Sequence, residues 1–411
     1  MYPETNFYDL ICLGFVATMK LCVVLLFGLL LSLAAEAKPK PKDSGKRVVC
    51  YFASWAGYRN GQGTFEPENL DPTICTHAIY TFASLDATTA EVVPADAWND
   101  LSSGGGKGFY DRFVRLKSKN PNLKVLLAVG GWNEGSSKYS MMASNPAGRS
   151  RFITSAIKLL KEHRFDGMDF VWLYPGSRGG AAADKENYAT LLGEMRTAFD
   201  QENLMLTAAL PAVENILEWG YDIDAVVRNL DFINVLSYDY RGSFDRLTGL
   251  QAPLHFQDPL LLDVDGTMKM YINKGVPSDM LVMGIAASGQ TFTLSDPNQN
   301  GLGAAITGAG QAGKWTQQPG FIGYFEIVEM QKAEPEMWEI KRDTQSQAPY
   351  AYNWLLWISY DDEISVKEKA DYINENNLGG AMIFTVDVDD FHGESGTIFP
   401  LVRTLYNTLV G

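Results

Sequence analysis

Eight strand-like apolar runs recur along this chain with helical patterns between them, and that alternation restricts the fold more than any other feature. The runs are Val48–Ala53, His77–Ala83, Lys124–Val129, Gly167–Leu173, Met205–Leu210, Phe232–Ser237, Leu281–Ala286 and Ala381–Val386. Helical spacing marks Phe109–Ser118, Pro146–His163, Lys185–Asp200, Gly220–Arg228, Thr267–Asn273 and Val366–Asn376. In the second of these, Phe152, Ile153, Ala156, Leu159 and Leu160 share one face, Asn145 can cap the helix and Pro146 suits its first turn. Strands and helices in this order predict an α/β fold, a closed (β/α)8 TIM barrel over residues 47–411. A hydrophobic content of 46% supplies the core that such a barrel needs. The long gap between the seventh and eighth runs breaks the rhythm. A structureless loop of that length does not suit a compact domain, so 292–352 is expected to be a small inserted α+β subdomain.

The fourth strand carries the sharpest local signal. Residues 165–175 read FDGMDFVWLYP. Alternate side chains of a strand share a face, so Asp169, Val171 and Leu173 form one row and Met168, Phe170 and Trp172 the other. Active sites of closed barrels gather at the C-terminal strand ends, so the first row should climb to the mouth with Leu173 uppermost.

This segment resembles the D-G-x-D-x-D-x-E-Y-P pattern of glycoside hydrolase family 18, the chitinases and chitinase-like proteins. Further stretches carry the resemblance in order: VVCYFASW (48–55), LLAVGGWN (126–133), LSYDYRGSFD (236–245), WISYDDE (357–363) and GGAMIFTVDVDDF (379–391). The resemblance implies the barrel, the insertion, a long sugar groove and a disulfide between Cys50 and Cys75. It implies a substrate-assisted hydrolysis in which a glutamate protonates the glycosidic oxygen. A central aspartate orients the sugar acetamide, whose carbonyl attacks the anomeric carbon. Asp166 and Asp169 match the first two acidic positions, as remnants of the motif. Val171 stands for the central aspartate and Leu173 for the acid. Leucine has no proton to give and valine accepts no hydrogen bond, so a chitinase-like protein without catalysis is expected, with no catalytic residue. Glu134, after GGWN, is the one substitute acid considered, and it reads better as a solvated loop glutamate.

Binding can outlive catalysis. By resemblance, Tyr51, Phe82, Trp132, Tyr238, Asp239, Trp357 and Phe384 fall on groove positions, with core packing the alternative for each ring. Phe384 stands where the family places a tryptophan. Ser288 and Gln290 replace a tyrosine and an arginine in GIAASGQTFTL (284–294), and Leu236 replaces a methionine. The groove is therefore expected to be eroded at its centre.

The first 37 residues read as a signal peptide. Leu21–Leu33 is apolar but short of the about 20 residues of a membrane span, with Lys20 before it and Ala35-Glu36-Ala37 after it. Met19 is an alternative start. Residues 38–46 (KPKPKDSGK) read as a flexible arm. Secretion to an extracellular compartment follows. Cys50 and Cys75, near the starts of successive strands, suit a disulfide there, whereas Cys12 and Cys22 fall in or before the signal segment. A net charge of -15 disfavours nucleic acid and anionic membrane. Four dispersed histidines offer no metal site, and no cofactor is expected. No cysteine-rich chitin-binding tail follows the barrel before Gly411, and a soluble role is therefore expected.

The leading reading is a secreted lectin or signalling factor that binds chitin oligosaccharides or other N-acetylglucosamine glycans. The second is a growth-factor or protein-receptor role without sugar. The third is residual chitinase activity through Glu134.

Overall fold

The computed structural model describes residues 45–256 and 262–411. The expected signal peptide, residues 38–44 of the expected arm, Cys12 and Cys22 lie outside the described residues. Eight strands pair in parallel: β1 Arg47–Ala53, β2 His77–Leu85, β4 Lys124–Gly130, β5 Gly167–Val171, β6 Met205–Pro211, β7 Ile233–Leu236, β8 Leu281–Ala286 and β15 Gly380–Phe384. Val49 of β1 lies opposite His77 of β2, and Arg47 opposite Gly380 of β15, so the sheet closes on itself. The short β3 Val92–Pro94 runs antiparallel to the end of β2.

Strands of a closed parallel sheet are covered on both faces, and here each face has its own apolar layer. Val49, Ile79, Leu126, Ala128, Val282 and Met382 fill the interior. Their neighbours along the strands, such as Phe52, Val125, Leu127 and Phe170, join the layer shared with the surrounding helices. Helix Pro146–Glu162 buries Phe152, Ile153, Ala156, Leu159 and Leu160 there, and the Asn145 side chain caps it by accepting from the Gly148 amide at 2.7 Å. Truncating a buried ring such as Phe152 to alanine would cost about 3–5 kcal/mol.

Most expected elements are present, with instructive differences. The fourth barrel strand ends at Val171 instead of Leu173, where the chain leaves the ladder. The expected helix from Gly220 is two helices: Glu214–Gly220 ends on that glycine, and Ile223–Asn229 starts from Asp222, whose side chain caps the Ala225 amide. A helix over Ser137–Ala143 was not anticipated.

Between β8 and β15 lies an antiparallel sheet of β9 Ser288–Leu294, β10 Ile306–Ala309, β11 Phe321–Gly323, β12 Glu339–Arg342, β13 Pro349–Asn353 and β14 Leu356–Ser359, with helix Tyr324–Ala333. The sheet is wider than 292–352 because its first and last strands pair: Thr293 lies opposite Leu356 and Gln290 opposite Ser359. GIAASGQTFTL therefore straddles two strands, with β8 ending at Ala286 and β9 beginning at Ser288. At the other end of the chain order, Cys50 in β1 is bridged to Cys75 before β2.

Candidate functional site

The inward row of β5 climbs as strand alternation predicts: Asp169, Val171 and Leu173 are 0%, 4% and 7% exposed. Asp169 is sealed in the barrel. It accepts hydrogen bonds from the Tyr51 hydroxyl at 2.7 Å, the Thr207 hydroxyl at 2.6 Å and the Asn234 amide at 3.1 Å. Burial raises its pKa and these three donors oppose the rise. Burial, and then the charge of Asp169, push the Tyr51 hydroxyl well up, so it remains a neutral donor. Above this polar cluster, Val171 and Leu173 belong to an apolar cluster with Ala209, Met382, Tyr238 and Phe384. The outward row is anchored on the helix side. Trp172 stacks on Tyr139 at 5.8 Å and donates to the Ser136 hydroxyl at 2.6 Å.

Asp166 lies at the opposite end of the strand. It accepts from Lys117 at 2.6 and 2.8 Å and from the Val125 amide at 2.8 Å. That makes it a clamp at the bottom of the barrel, not part of a site at the mouth.

Several of the expected groove residues converge at the C-terminal strand ends. Phe384 lies 5.7 Å from Tyr51 and stacks at 6.0 Å on Tyr238, the planes 17° apart. Phe82 stacks at 6.0 Å on Trp55, an exposed ring that the motif VVCYFASW contained but the site assignment passed over. Gly130 and Gly131 deliver Trp132 to the rim. Both have positive φ, and a Cβ on Gly130 would stand 2.2 Å from the Val171 carbonyl oxygen. Trp132 is 60% exposed. Asp239 follows the end of β7 and accepts from the Gln290 amide at 2.7 Å. Its side chain is exposed to solvent. Burial raises its pKa and the Gln290 bond opposes this. Gln290 thus keeps a donor on Asp239, though a neutral one. Ser288 is buried.

Two expectations need correction. Trp357 is not at the mouth. It is fully buried in the inserted sheet, against Phe292 at 5.3 Å and Tyr350 at 5.2 Å, and its indole donates to the Asn300 carbonyl at 3.0 Å. The cause is register: Trp357 lies opposite Phe292, so both rings share the face that forms the insertion's core. Glu134 is not a solvated loop residue. It accepts from the Ser84 hydroxyl at 3.1 Å, the Leu85 amide at 3.3 Å and the Tyr139 hydroxyl at 3.0 Å, and pairs with Lys138 at 2.5 Å. These partners tie both carboxylate oxygens to β2 and the following helix.

Sequence reasoning also missed Arg178. Its guanidinium stands 3.7 Å above the Trp132 ring and donates to the Leu173 carbonyl at 2.8 Å. The available signal was a cation five residues beyond Leu173 in the loop that leaves β5. Among the described residues, no group of three or more His, Cys, Asp or Glu side chains is placed to hold a metal ion.

The family model for glycosyl hydrolases family 18 matches residues 47–389. The chain belongs to glycoside hydrolase family 18. It is 35% identical over 380 residues to chitotriosidase-1 of Mus musculus, covering 89% of this chain and 78% of that protein. It spans only 16% of the length of probable chitinase 10 of Drosophila melanogaster, at 37% identity over 385 residues. The solved Group IV chitinase of Ostrinia furnacalis superposes with a TM-score of 0.86 at 38% identity, covering 89% of this chain and 100% of that one. Human YKL-39, described as a pseudo-chitinase with retained chitooligosaccharide binding properties, superposes with a TM-score of 0.80 at 34% identity, covering 89% of this chain and 100% of its own. The family thus includes both hydrolases and a pseudo-chitinase.

Proposed function

We propose that this family 18 member is a secreted chitinase-like protein without hydrolytic activity that binds chitin or other N-acetylglucosamine oligosaccharides at the barrel mouth. One observation carries the reading. Val171 and Leu173 occupy the inward row beneath the mouth in an apolar cluster, and the one carboxylate of that row, Asp169, is sealed below by three donors. No side chain of the row can hand a proton to a leaving group, whereas the rings of Tyr238, Phe384, Phe82 and Trp132 still offer apolar faces there. Retained binding in a pseudo-chitinase of the same family supports the separation of the two properties. Secretion is supported by the apolar run Leu21–Leu33, its Ala35-Glu36-Ala37 end and the Cys50–Cys75 bridge.

Calorimetry with N-acetylglucosamine tetramer to hexamer tests the binding. Heat of association is expected, and it should fall at least tenfold in affinity in Trp132→Ala. No heat at millimolar oligomer would end the lectin reading. A fluorogenic chitobioside should show no turnover above blank at any pH. The cover that Arg178 places on Trp132 favours one alternative, a protein-receptor role without sugar. A partner captured equally by the wild type and Trp132→Ala would support it.

A further inference from the structure

The inserted sheet has a second face that the barrel mouth does not use. Thr293, Leu356 and Asn353 lie in register across β9, β14 and β13, on the face opposite Trp357 and Phe292. Helix Tyr324–Ala333 supplies the facing wall. Its Glu326, Glu329, Met330 and Ala333 recur at the spacing of one helix face. Between wall and sheet lies a cavity of about 530 Å³, with Trp338 and Trp354 also lining it. A second cavity, of about 680 Å³, shares Lys314, Glu329 and Ala333 with the first and continues toward His392 and Glu394. The two form one trough, and none of Tyr51, Phe82, Trp132, Tyr238, Asp239 or Phe384 lines it.

Trp354 is the feature that packing does not explain. Asn353 lies opposite Leu356, so Trp354 and Leu355 alone make the β13–β14 turn. Such two-residue turns favour asparagine or glycine, because they need left-handed backbone. Trp354 adopts φ 53°, which a bulky side chain resists, and its side chain is not repaid by burial: the residue is 72% exposed. An indole held open beside a cavity, at a position that resists it, calls for a ligand.

The lining specifies the class. Glu326, Glu329 and Glu334 outnumber Lys314 in the first cavity, which disfavours phosphate, sulfate and other anions. Glu326 is buried and its carboxylate is already taken by the Trp315, Thr316 and Gly323 amides and the Thr316 hydroxyl, so it shapes the wall. Glu329, held by Lys314 at 3.0 Å and the Trp315 indole at 2.7 Å, is the acceptor fixed at the cavity, with Glu334 beside it. Among the described residues the side-chain amides of Gln311 and Asn353 have no protein partner and remain free for hydroxyl groups. An aromatic face, a fixed carboxylate and open amides match a pyranose, with its apolar C–H face and rim of hydroxyls. We propose that this trough binds a neutral oligosaccharide, with Trp354 as its stacking platform, independently of the barrel mouth.

The intact protein, Trp354→Ala, Trp354→Tyr and Trp132→Ala are titrated with cellotetraose, mannotetraose, xylotetraose and N-acetylglucosamine tetramer, with binding read by saturation-transfer NMR and calorimetry. At least one tetrasaccharide is expected to lose tenfold or more in affinity in Trp354→Ala. It should stay within about threefold in Trp354→Tyr and be unaffected by Trp132→Ala. Equal melting temperatures of the variants are the folding control, and Trp354→Tyr carries the comparison if Trp354→Ala melts early. The proposal is overturned if no panel sugar responds to either Trp354 variant, or if the trough binds a peptide in place of the sugars. Failure of the mouth reading shows separately, as insensitivity to Trp132→Ala.

Discussion

Replacing Arg178 by alanine should strengthen the binding of N-acetylglucosamine oligomers at the mouth. A sugar that stacks on the face of Trp132 that Arg178 covers meets the guanidinium already there, 3.7 Å from the ring centre. Displacing it forfeits a cation–π contact worth about 0.5–1 kcal/mol at an exposed site. It also forfeits the hydrogen bond to the Leu173 carbonyl, at 2.8 Å, for which about 0.5–1 kcal/mol is a fair net value beside solvent. Ligand binding to the wild type therefore carries a penalty of about 1–2 kcal/mol that the alanine variant lacks, a gain of about 5- to 30-fold in affinity. Calorimetry with the N-acetylglucosamine hexamer measures it. In the Trp132→Ala background the same Arg178 change should do nothing, because the shared ring is gone, and this double-mutant cycle isolates the competition. Unchanged or weaker binding in Arg178→Ala would refute the reasoning, since the arginine would then lie beside the sugar's path or belong to its contacts.

Other consequences are equally direct. Val171→Asp with Leu173→Glu puts two carboxyl groups at nearly inaccessible positions above Asp169. Urea unfolding should show a loss of about 2–5 kcal/mol at pH 8 and a smaller one at pH 5, where buried carboxyls take up protons; equal stability would contradict the packing described. Replacing Cys50 and Cys75 by serine opens a crosslink across 25 residues, and the chain-entropy relation gives a loss of about 3–4 kcal/mol, read from denaturation midpoints. Asp389, fully buried, is pushed up to about 7 by burial despite amide donors from Val402, Asp390 and Leu401, and Asp390 adds to the rise. Its folded value exceeds the unfolded one near 3.9, so the folded state holds an extra proton between roughly pH 4 and 7, and stability falls as pH rises through that window. Asp389→Asn should remove this component and flatten the stability profile across that window, while lowering stability at every pH because its NH2 must face one of the backbone amides from which Asp389 accepts. His77, lowered to about 3 by burial, works in the opposite direction below about pH 6.5, so the comparison between variant and wild type, not the raw profile, isolates Asp389.

The barrel was legible because its strands, buried on both faces, read as short continuous apolar runs alternating with helical patterns. Val49 and Cys50, or Val171 and Trp172, are both apolar, yet the chain's alternation tells which layer each joins. The inserted sheet was harder. Its partners lie far apart in sequence, so neither Ser288 as a strand start nor Ser359 as the matching end is marked locally. Trp357 shows the limit clearly. A tryptophan beside a strand motif suits a groove or a core equally, and only its pairing with Phe292 decides. Glu134 and Arg178 failed for the same reason: each is defined by where a loop lands, Glu134 on the end of β2 and Arg178 on Trp132. Local pattern fixes which face a residue takes, and tertiary register fixes what it meets.

On the proposed reading, those contacts bear on how a barrel mouth can give up hydrolysis and keep its binding surfaces. A carboxylate deep in a barrel needs donors, and Asp169 has three of them, from β1, β6 and β7. A second and third acid above it would add like charge and desolvation at nearly closed positions, so valine and leucine there relieve the barrel of a standing cost. The rings at the barrel mouth carry no such conflict. Tyr238, Phe384 and Tyr51 brace one another, and Phe82 is braced by Trp55, so these surfaces are held by packing whether or not catalysis occurs. Acids that cost stability go readily once hydrolysis is no longer required, whereas aromatics that form the barrel's upper core stay. Packing alone therefore accounts for Tyr51, Tyr238, Phe384 and Phe82. Trp132 is the decisive ring, because it is exposed at the rim although Arg178 stands over it and Tyr174 lies edge-on at 6.4 Å.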